Sequence, residues 1–193
     1  AWVQKGNDID GESFGDRSGI SISIDAAGNT LAVGAYQNDG IGTRGGHVRI
    51  YTWNGSAWTE LNNLNTGRRY ISGFGLSTSS LGMGGETATA GSVNLVESWN
   101  GTSWTEVAEV NTGRQGGSAA GDTNVLGIYF GGGTSLLTEA WNGTAWTEVN
   151  DLAAAKNEGS GSGTSNAAFV VLGTVTEEWT VPATVNNVTV ASS

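Results

Sequence analysis

Basic residues recur at one position of a repeated sequence pattern. Arg68, Arg114 and Lys156 each lie ten residues after the tryptophan of a Trp-Thr-Glu segment, and the chain has only eight Lys and Arg residues in all. If equivalent loops meet on one face, these side chains form a small cationic ring that binds a carboxylate, a phosphate or an acidic sugar through charge-assisted hydrogen bonds. The alternative is a structural role in capping strand ends or in ion pairs, since surface pairs are common and weak. The candidate acidic partners in the same repeats are Glu60, Glu106 and Glu148.

Four acidic residues near the N-terminus have the chemistry of a calcium site. The carboxylates are those of Asp8, Asp10, Glu12 and Asp16, and Ca²⁺ prefers hard oxygen ligands in large numbers. The spacing departs from an EF-hand loop, because the twelfth position counted from Asp8 is Gly19 rather than a glutamate. Calcium is therefore the one cofactor that the sequence suggests. A solvated acidic turn is the alternative, because Asp is common in turns.

Patterns that carry catalysis are missing from the sequence. The chain has no GxSxG, HExxH or P-loop motif, and its single histidine, His47, lies in the strand-like run GGHVRIY. No carboxylate pair can be placed at glycosidase separation from the sequence. We therefore predict that the chain is not an enzyme. A glycan hydrolase or lyase that uses one of the chain's carboxylates is the alternative.

Charge and hydropathy exclude two classes of partner. A formal charge of −10 argues against nucleic acid, because nucleic-acid-binding proteins present a positive surface. The longest run without a polar side chain, 167–173, is far too short to cross a bilayer. We expect no nucleic-acid partner and no membrane insertion.

An internal repeat decides the predicted architecture. The segments 53–61, 99–107 and 141–149 are near copies of WNGTSWTEV, and their first tryptophans lie 46 and 42 residues apart. Periods of this length, rich in Gly and aromatic residues, are typical of β-propeller blades. The two remaining tryptophans, Trp2 and Trp179, resemble the two halves of one further hairpin cut by the chain ends. The repeated tryptophans are interpreted as filling the space between blades, with stacking on sugar rings as the alternative.

Strand patterns fit four strands in each repeat. Asn-Gly pairs follow the alternating runs HVRIYTW, NLVESW and LLTEAW, and they predict type I′ hairpin turns. The runs TLAVGAY, NVLGIYF and AAFVVLG are continuously apolar, as in strands that are covered on both faces. Segments poor in bulky side chains are placed innermost, where blades converge: SGISISI, ISGFGLS, QGGSAAG and EGSGSGT.

The predicted fold is all-β, a four-bladed β-propeller with four antiparallel strands per blade. Its N-terminal strand completes the last blade and so covers an otherwise exposed sheet edge. The domain is predicted to span 1–181, and 182–193 to form a linker or tail, which suggests either a longer natural chain or a module that docks on an assembly. The blades are predicted at about 10–61, 68–107, 114–149, and 156–180 together with 1–5.

The repeats resemble two known propeller families. Residues 58–180 resemble kelch repeats, with Gly84-Gly85 and Gly131-Gly132 after an apolar strand and with NTGRR and NTGRQ entering a blade. Residues 10–52 are similar to an FG-GAP (integrin-α-like) repeat, through SFGDRSGISISIDAAGNTLAVGAYQNDG and GGHVRIY. Such arrays resemble those of phage tail or surface proteins and of bacterial secreted proteins.

The resemblance implies a non-enzymatic binding or structural module on a virion or outside the cell. Its expected partners are a glycan or protein on a cell surface, reached through one face of the propeller, or neighbouring virion proteins. A purely structural assembly part is a further alternative, because one propeller scaffold hosts many functions.

Overall fold

The computed structural model describes residues 3–39, 46–155, 157–172 and 175–180. Within these ranges every regular element is a β-strand. No helix in the described part of the chain is long and apolar enough to span a membrane.

The described residues form seventeen short strands. In chain order they are β1 (Ser21–Ile24), β2 (Thr30–Ala35), β3 (His47–Trp53), β4 (Trp58–Glu60), β5 (Ser72–Leu76), β6 (Ser79–Met83), β7 (Glu86–Thr87), β8 (Gly91–Ser92), β9 (Val96–Trp99), β10 (Trp104–Glu106), β11 (Ser118–Thr123), β12 (Leu126–Phe130), β13 (Thr138–Trp141), β14 (Trp146–Glu148), β15 (Ser160–Gly163), β16 (Ala167–Leu172) and β17 (Val175–Thr180).

The strands form a series of antiparallel sheets, one for each sequence repeat. Sheet 1 has the order β1-β2-β3-β4, sheet 2 β5-β6-β9-β10, sheet 3 β11-β12-β13-β14 and sheet 4 β15-β16-β17. A two-stranded hairpin, β7-β8, is inserted between β6 and β9. The predicted all-β fold built from four-stranded antiparallel sheets is confirmed for the first three sheets.

The second strand of sheet 3 is apolar because it is covered on both faces, whereas in β16 of sheet 4 one face stays open and Phe169 is exposed, contrary to the prediction. In β12, Ile128, Tyr129 and Phe130 are all buried. Leu81 and Met83 of β6 pack against Tyr129 and Trp146 in the core between sheets 2 and 3. A second core lies between sheets 3 and 4, where Ile128, Phe130 and Leu152 meet Ala168 and Val170.

Small residues predominate in the first strands of sheets 2, 3 and 4, the strands that the sequence predicts to be innermost. β11 packs between β5 and β15, and the ring of Phe74 from β5 lies against Gly127 of β12. A Cβ atom on Gly127 would stand 2.0 Å from the Phe74 ring, so no larger residue fits there. β1 departs from this arrangement, because Ile20, Ile22 and Ile24 remain more than half exposed.

The Asn-Gly turns are not the predicted type I′ turns. Trp53 pairs with Trp58, so the loop between them has four residues, and of its Asn-Gly pair only Gly55 has a positive φ. The side-chain oxygen of Asn54 accepts hydrogen bonds from the backbone N–H groups of Ser56 and Ala57. Because these hydrogen bonds pair the N–H groups of the turn, Asn54 does not need the left-handed conformation. The same geometry recurs at Asn100 and Asn142.

Sheet 4 has three strands among the described residues. Of the predicted closing strand 1–5, residues 1 and 2 lie outside the described ranges, and residues 3–5 belong to no strand. The predicted tail 182–193 also lies outside them. The described residues therefore form a series of sheets without a demonstrated closed ring.

Candidate functional site

Arg68 lies inside the protein and not at an exposed mouth. Its guanidinium forms an ion pair with Glu97 at 2.9 Å and donates to the carbonyl oxygens of Gly84 and Leu95 at 2.8 and 2.7 Å. The residue is 1% exposed. Burial lowers the pKa of Arg68, and the Glu97 carboxylate opposes that shift. The segment between sheets 1 and 2, residues 61–71, is called a connector. Arg68 holds this connector onto β9.

Arg114 repeats this arrangement one sheet further along. It pairs with the buried Glu139, donates to the carbonyl oxygen of Gly131 at 2.7 Å and stacks on the ring of Tyr129 at 4.1 Å. Glu139 also accepts hydrogen bonds from the backbone and side-chain nitrogens of Asn111. The predicted acidic partners are thus corrected. The glutamates just before Trp99 and Trp141 bind these arginines, because only they project into the buried connector.

A third glutamate shares the repeat position. Glu177 in β17 accepts a hydrogen bond from the backbone N–H of Ala153 at 2.6 Å, as Glu97 does from Asn65 at 2.7 Å. Lys156, the third member of the predicted cationic ring, lies outside the described residues.

The predicted ring of accessible cations is therefore not what Arg68 and Arg114 form. Their nitrogen donors are directed to carboxylates and carbonyl oxygens within their own sheets. A ligand would have to displace these buried hydrogen bonds, whose loss leaves polar groups without partners.

The four predicted calcium ligands do not come together as one group. Glu12 and Asp16 both accept hydrogen bonds from the side-chain nitrogen of Asn38, at 2.7 and 3.0 Å. Asp8 instead accepts from Gln4, and Asp10 offers its backbone oxygen to Arg49. Among the described residues no three His, Cys, Asp or Glu side chains form a metal-binding group. Calcium binding stays a prediction without a preformed ligand cluster.

One small cavity links two of the predicted sites. Glu12 and Arg68 line the same space of about 190 Å³, together with His47. His47 begins β3, as the sequence predicted, and its Nδ1 lies 3.6 Å from a carboxylate oxygen of Glu12.

The tryptophans pack between sheets, as interpreted from the sequence. Trp99, Trp141 and Trp146 are buried. The Trp146 indole N–H donates to the carbonyl oxygen of Ala108 at 3.0 Å, so the connector from sheet 2 is tied to sheet 3. The Trp104 indole N–H is the exception, because it is buried and has no partner among the described residues.

A further cavity lies between sheets 1 and 2. It has a volume of about 720 Å³. Its walls come from β2 and β3 on one side and from β5, β6, Trp99 and Trp104 on the other. The hairpin turns at 25–27 and 77–78 border it.

Small side chains on both walls explain why this junction is open. Gly82 faces Glu97 as Tyr129 faces Glu139, so sheet 2 has a glycine where sheet 3 places an aromatic ring. Ile71 fills part of that space, since its side chain lies 3.1 Å from where a Cβ of Gly82 would be.

The side chains on the opposite wall are small as well. Sheet 1 presents Thr30 and Ala32 at the register positions where sheet 2 presents Leu81 and Met83 to sheet 3. Sequence reasoning missed this cavity. Its signal was the mismatch between repeats at Gly82 and Tyr129, which an alignment of the second strands reveals.

Comparisons with known proteins bear on the fold alone. No protein-family model matches the chain, and a search of curated proteins gives no match. One solved structure with a similar fold is described as "Structure of YjhT", with 15% sequence identity and a TM-score of 0.54. The alignment covers 65% of this chain and 44% of that chain, so the match spans less than half of the other protein. It supports an all-β architecture of several antiparallel sheets.

Proposed function

We propose that the chain is a non-enzymatic binding module, a four-bladed β-propeller that recognises a glycan through one face. The observation that carries this proposal is a set of turns, at one end of the sheets, in which only one residue is charged. In each antiparallel sheet the first and third turns lie at the same end, which we call the turn end. The turns are residues 25–29, 54–57, 77–78, 100–103, 124–125, 142–145 and 164–166.

The turn end differs in charge from the rest of the molecule. Its turns contain Asn, Ser, Thr, Gly and Ala, with Val125 and a single charged residue, Asp25. These turns offer hydroxyl and amide groups rather than charged groups, which suits a neutral partner. These groups are the hydrogen-bonding partners that a glycan requires. Arg68, Arg114 and their glutamates lie among the connectors at the opposite end, which we call the connector end.

Ring closure by the N-terminal residues is part of the proposal. The carbonyl oxygen of Lys5 accepts a hydrogen bond from the Trp58 indole at 2.9 Å, as that of Ala108 does from Trp146. Ala108 lies two residues after the end of β10, the outermost strand of sheet 2. Lys5 lies one residue earlier than Ala108 when Trp2 is aligned with Trp104, and its contact supports the proposed assignment of residues 1–5 to sheet 4.

The proposed location is a virion or the extracellular space. The support is the resemblance of the repeats to those of phage tail or surface proteins and of bacterial secreted proteins. A surface protein of a cell, or a neighbouring virion protein, is the corresponding macromolecular partner.

A glycan array probed with the labelled chain tests this function. We expect retention on neutral glycans, with no products released into solution by mass spectrometry. Product release would contradict the non-enzymatic assignment. Retention on no glycan would contradict glycan recognition.

A pair of charge variants locates the binding face. The turn-end variant replaces three exposed threonines with glutamate: T78E, T102E and T144E. The matched control places three glutamates at the connector end: T89E, T112E and T134E. We expect loss of retention only for the turn-end variant. An equal loss for both variants, or for neither, would contradict recognition through this face.

A further inference from the structure

The cavity between sheets 1 and 2 has the size and position of a ligand site. Its volume of about 720 Å³ lies within the range of about 300–1,000 Å³ usual for small-molecule sites. It reaches the turn end through the turns at 25–27 and 77–78. We propose that it binds a pyranose unit of an uncharged glycan, an inference that rests on the proposed function and names its site.

One wall of the cavity is aromatic. The ring of Trp104 lies on this wall, backed by the buried ring of Trp99 with the two ring centroids 5.2 Å apart. Aromatic rings offer a flat apolar surface, and the C–H face of a pyranose ring is flat and apolar as well. The opposite wall is aliphatic, with Ile24 and Ile50. The hydroxyl groups of the sugar would therefore form their hydrogen bonds at the rim of the cavity.

The rim supplies hydroxyl groups and a single carboxylate. Asp25 lies at the β1–β2 turn, where its Oδ1 accepts hydrogen bonds from the backbone of Asn29 and Thr30 at 2.7 and 3.0 Å. These hydrogen bonds lower the pKa of Asp25, with that from Thr30 as the largest cause. The residues with hydroxyl groups that line the cavity are Ser23, Thr30, Ser77, Thr78 and Ser80, whereas the Ser72 hydroxyl donates to the carbonyl oxygen of Gly117.

Charge selects the class of sugar. The residues that line the cavity include Asp25 and no Lys or Arg. An acidic sugar would therefore meet an ionised carboxylate, and the nearby Lys5 ammonium already donates hydrogen bonds to Gly28 and Asn29. A neutral pyranose meets hydroxyl groups that both donate and accept hydrogen bonds. An apolar peptide side chain would leave that rim unused, and the experiment below includes it as the competing occupant.

The junction between sheets 2 and 3 is closed at the positions where the junction between sheets 1 and 2 is open. Between sheets 2 and 3 the connector oxygen of Ala108 closes over the Trp146 indole, and Tyr129 packs edge-on against Trp146 with centroids 6.4 Å apart. At Trp104 the indole N–H lacks a partner among the described residues, and Gly82 replaces the tyrosine. Two independent differences thus keep the same junction from closing.

The test uses the full chain and a panel of small probes. Tryptophan fluorescence and saturation-transfer NMR follow titration with the methyl glycosides of glucose, galactose, mannose and N-acetylglucosamine. Methyl glucuronide is the charged counterpart, and N-acetyl-leucine amide represents an apolar side chain. We expect at least one neutral glycoside to bind, with methyl glucuronide weaker by about tenfold or more.

A packing swap provides the decisive variant. The double variant I71G/G82Y copies the sheet 3 arrangement, in which Gly117 leaves room for Tyr129, and it fills the cavity. We expect it to weaken binding by about tenfold or more. The control Y129F alters the equivalent position of sheet 3 and should bind as the unmodified chain does. T78W, at an exposed residue of the cavity mouth, provides the same test should the double variant fail to fold.

Three results would overturn the site assignment. They are binding of no neutral glycoside, unchanged affinity in both I71G/G82Y and T78W, and tighter binding of N-acetyl-leucine amide than of any glycoside. Glycan-array retention that survives in a folded I71G/G82Y or T78W variant would refute this site and leave the proposed function standing. If the unmodified chain binds no glycan on the array, both this site and the proposed function are refuted.

Discussion

The buried glutamates define the role of the repeated charges. Glu97 lies within hydrogen-bonding distance of Arg68 and of two backbone N–H groups, those of Asn65 and Thr66. A carboxylate held in this way positions a connector. Removing one partner of a buried pair leaves the other charge without compensation.

Substitution of Glu97 should therefore cost far more stability than substitution of its exposed neighbour. We expect E97Q to lower the free energy of unfolding by about 3–5 kcal/mol, as measured by urea denaturation. Glu106 lies directly opposite Glu97 on β10 and is exposed, so E106Q should change it by about 0.5 kcal/mol or less. Similar small effects for both variants would show that the buried pair does not hold the connector.

The Arg49–Glu60 pair predicts an acid-dependent contribution to stability. The hydrogen bond from Arg49 is the main cause that lowers the pKa of Glu60 below 4.5. The contribution of this ion pair to the free energy of unfolding is present above pH 4.5. It is lost as the pH falls through the folded-state pKa of Glu60. Because both side chains are partly exposed, we expect E60Q to cost about 1 kcal/mol or less at pH 7. The difference in melting temperature from the unmodified chain should vanish in acid, and a constant difference across pH would contradict this assignment.

At the scale of elements, each Asn-Gly loop is held by its own side chain. The Asn142 oxygen accepts hydrogen bonds from the backbone N–H groups of Thr144 and Ala145, both at 2.9 Å. This contact orders the hairpin between β13 and β14 without a left-handed asparagine.

Removing that side-chain oxygen should weaken the hairpin. We expect N142A to cost about 1 kcal/mol of stability, while N142D, which keeps an acceptor at the same position, should cost less. Thermal unfolding monitored by tryptophan fluorescence measures both. If the two variants are equally destabilised, the side-chain acceptor is not what stabilises this loop.

The strands were predictable from the sequence, and the junctions between sheets were not. The tryptophan repeat and the apolar run that ends at Phe130 located their strands because both patterns are local. The ion pair of Arg68 was missed since its partner lies 29 residues away. The cavity depends on side chains of two sheets at once, and the small residues at Thr30 and Gly82 have no local signature.

At the scale of the whole molecule, the sheets do not follow one another identically. Sheets 2, 3 and 4 pack through β5, β11 and β15, whereas β1 stays exposed and an open cavity separates sheet 1 from sheet 2. Sheet 1 also has Tyr51 where sheet 2 has Glu97, each opposite the glutamate of the following strand. The repeated side chains build the array, and the proposed binding site lies where the repeat is broken.

Closure of the ring is the claim on which the proposed single face depends, and a disulfide tests it directly. When Trp2 is aligned with Trp104 and Trp179 with Trp99, Val3 corresponds to Thr105 and Glu178 to Ser98. Thr105 and Ser98 are paired across β10 and β9. Opposed residues on neighbouring strands lie within disulfide reach, and the chain has no cysteine of its own.

The measurement is the oxidation of the V3C/E178C variant at low concentration, followed by non-reducing electrophoresis and peptide mass spectrometry. V3C/T89C is the control, with its second cysteine on the exposed β7–β8 hairpin. Ring closure predicts a rapid intramolecular cross-link in V3C/E178C and none in V3C/T89C. A V3C/E178C chain that stays reduced, or that forms only cross-links between molecules, would contradict a ring closed by its own N-terminus.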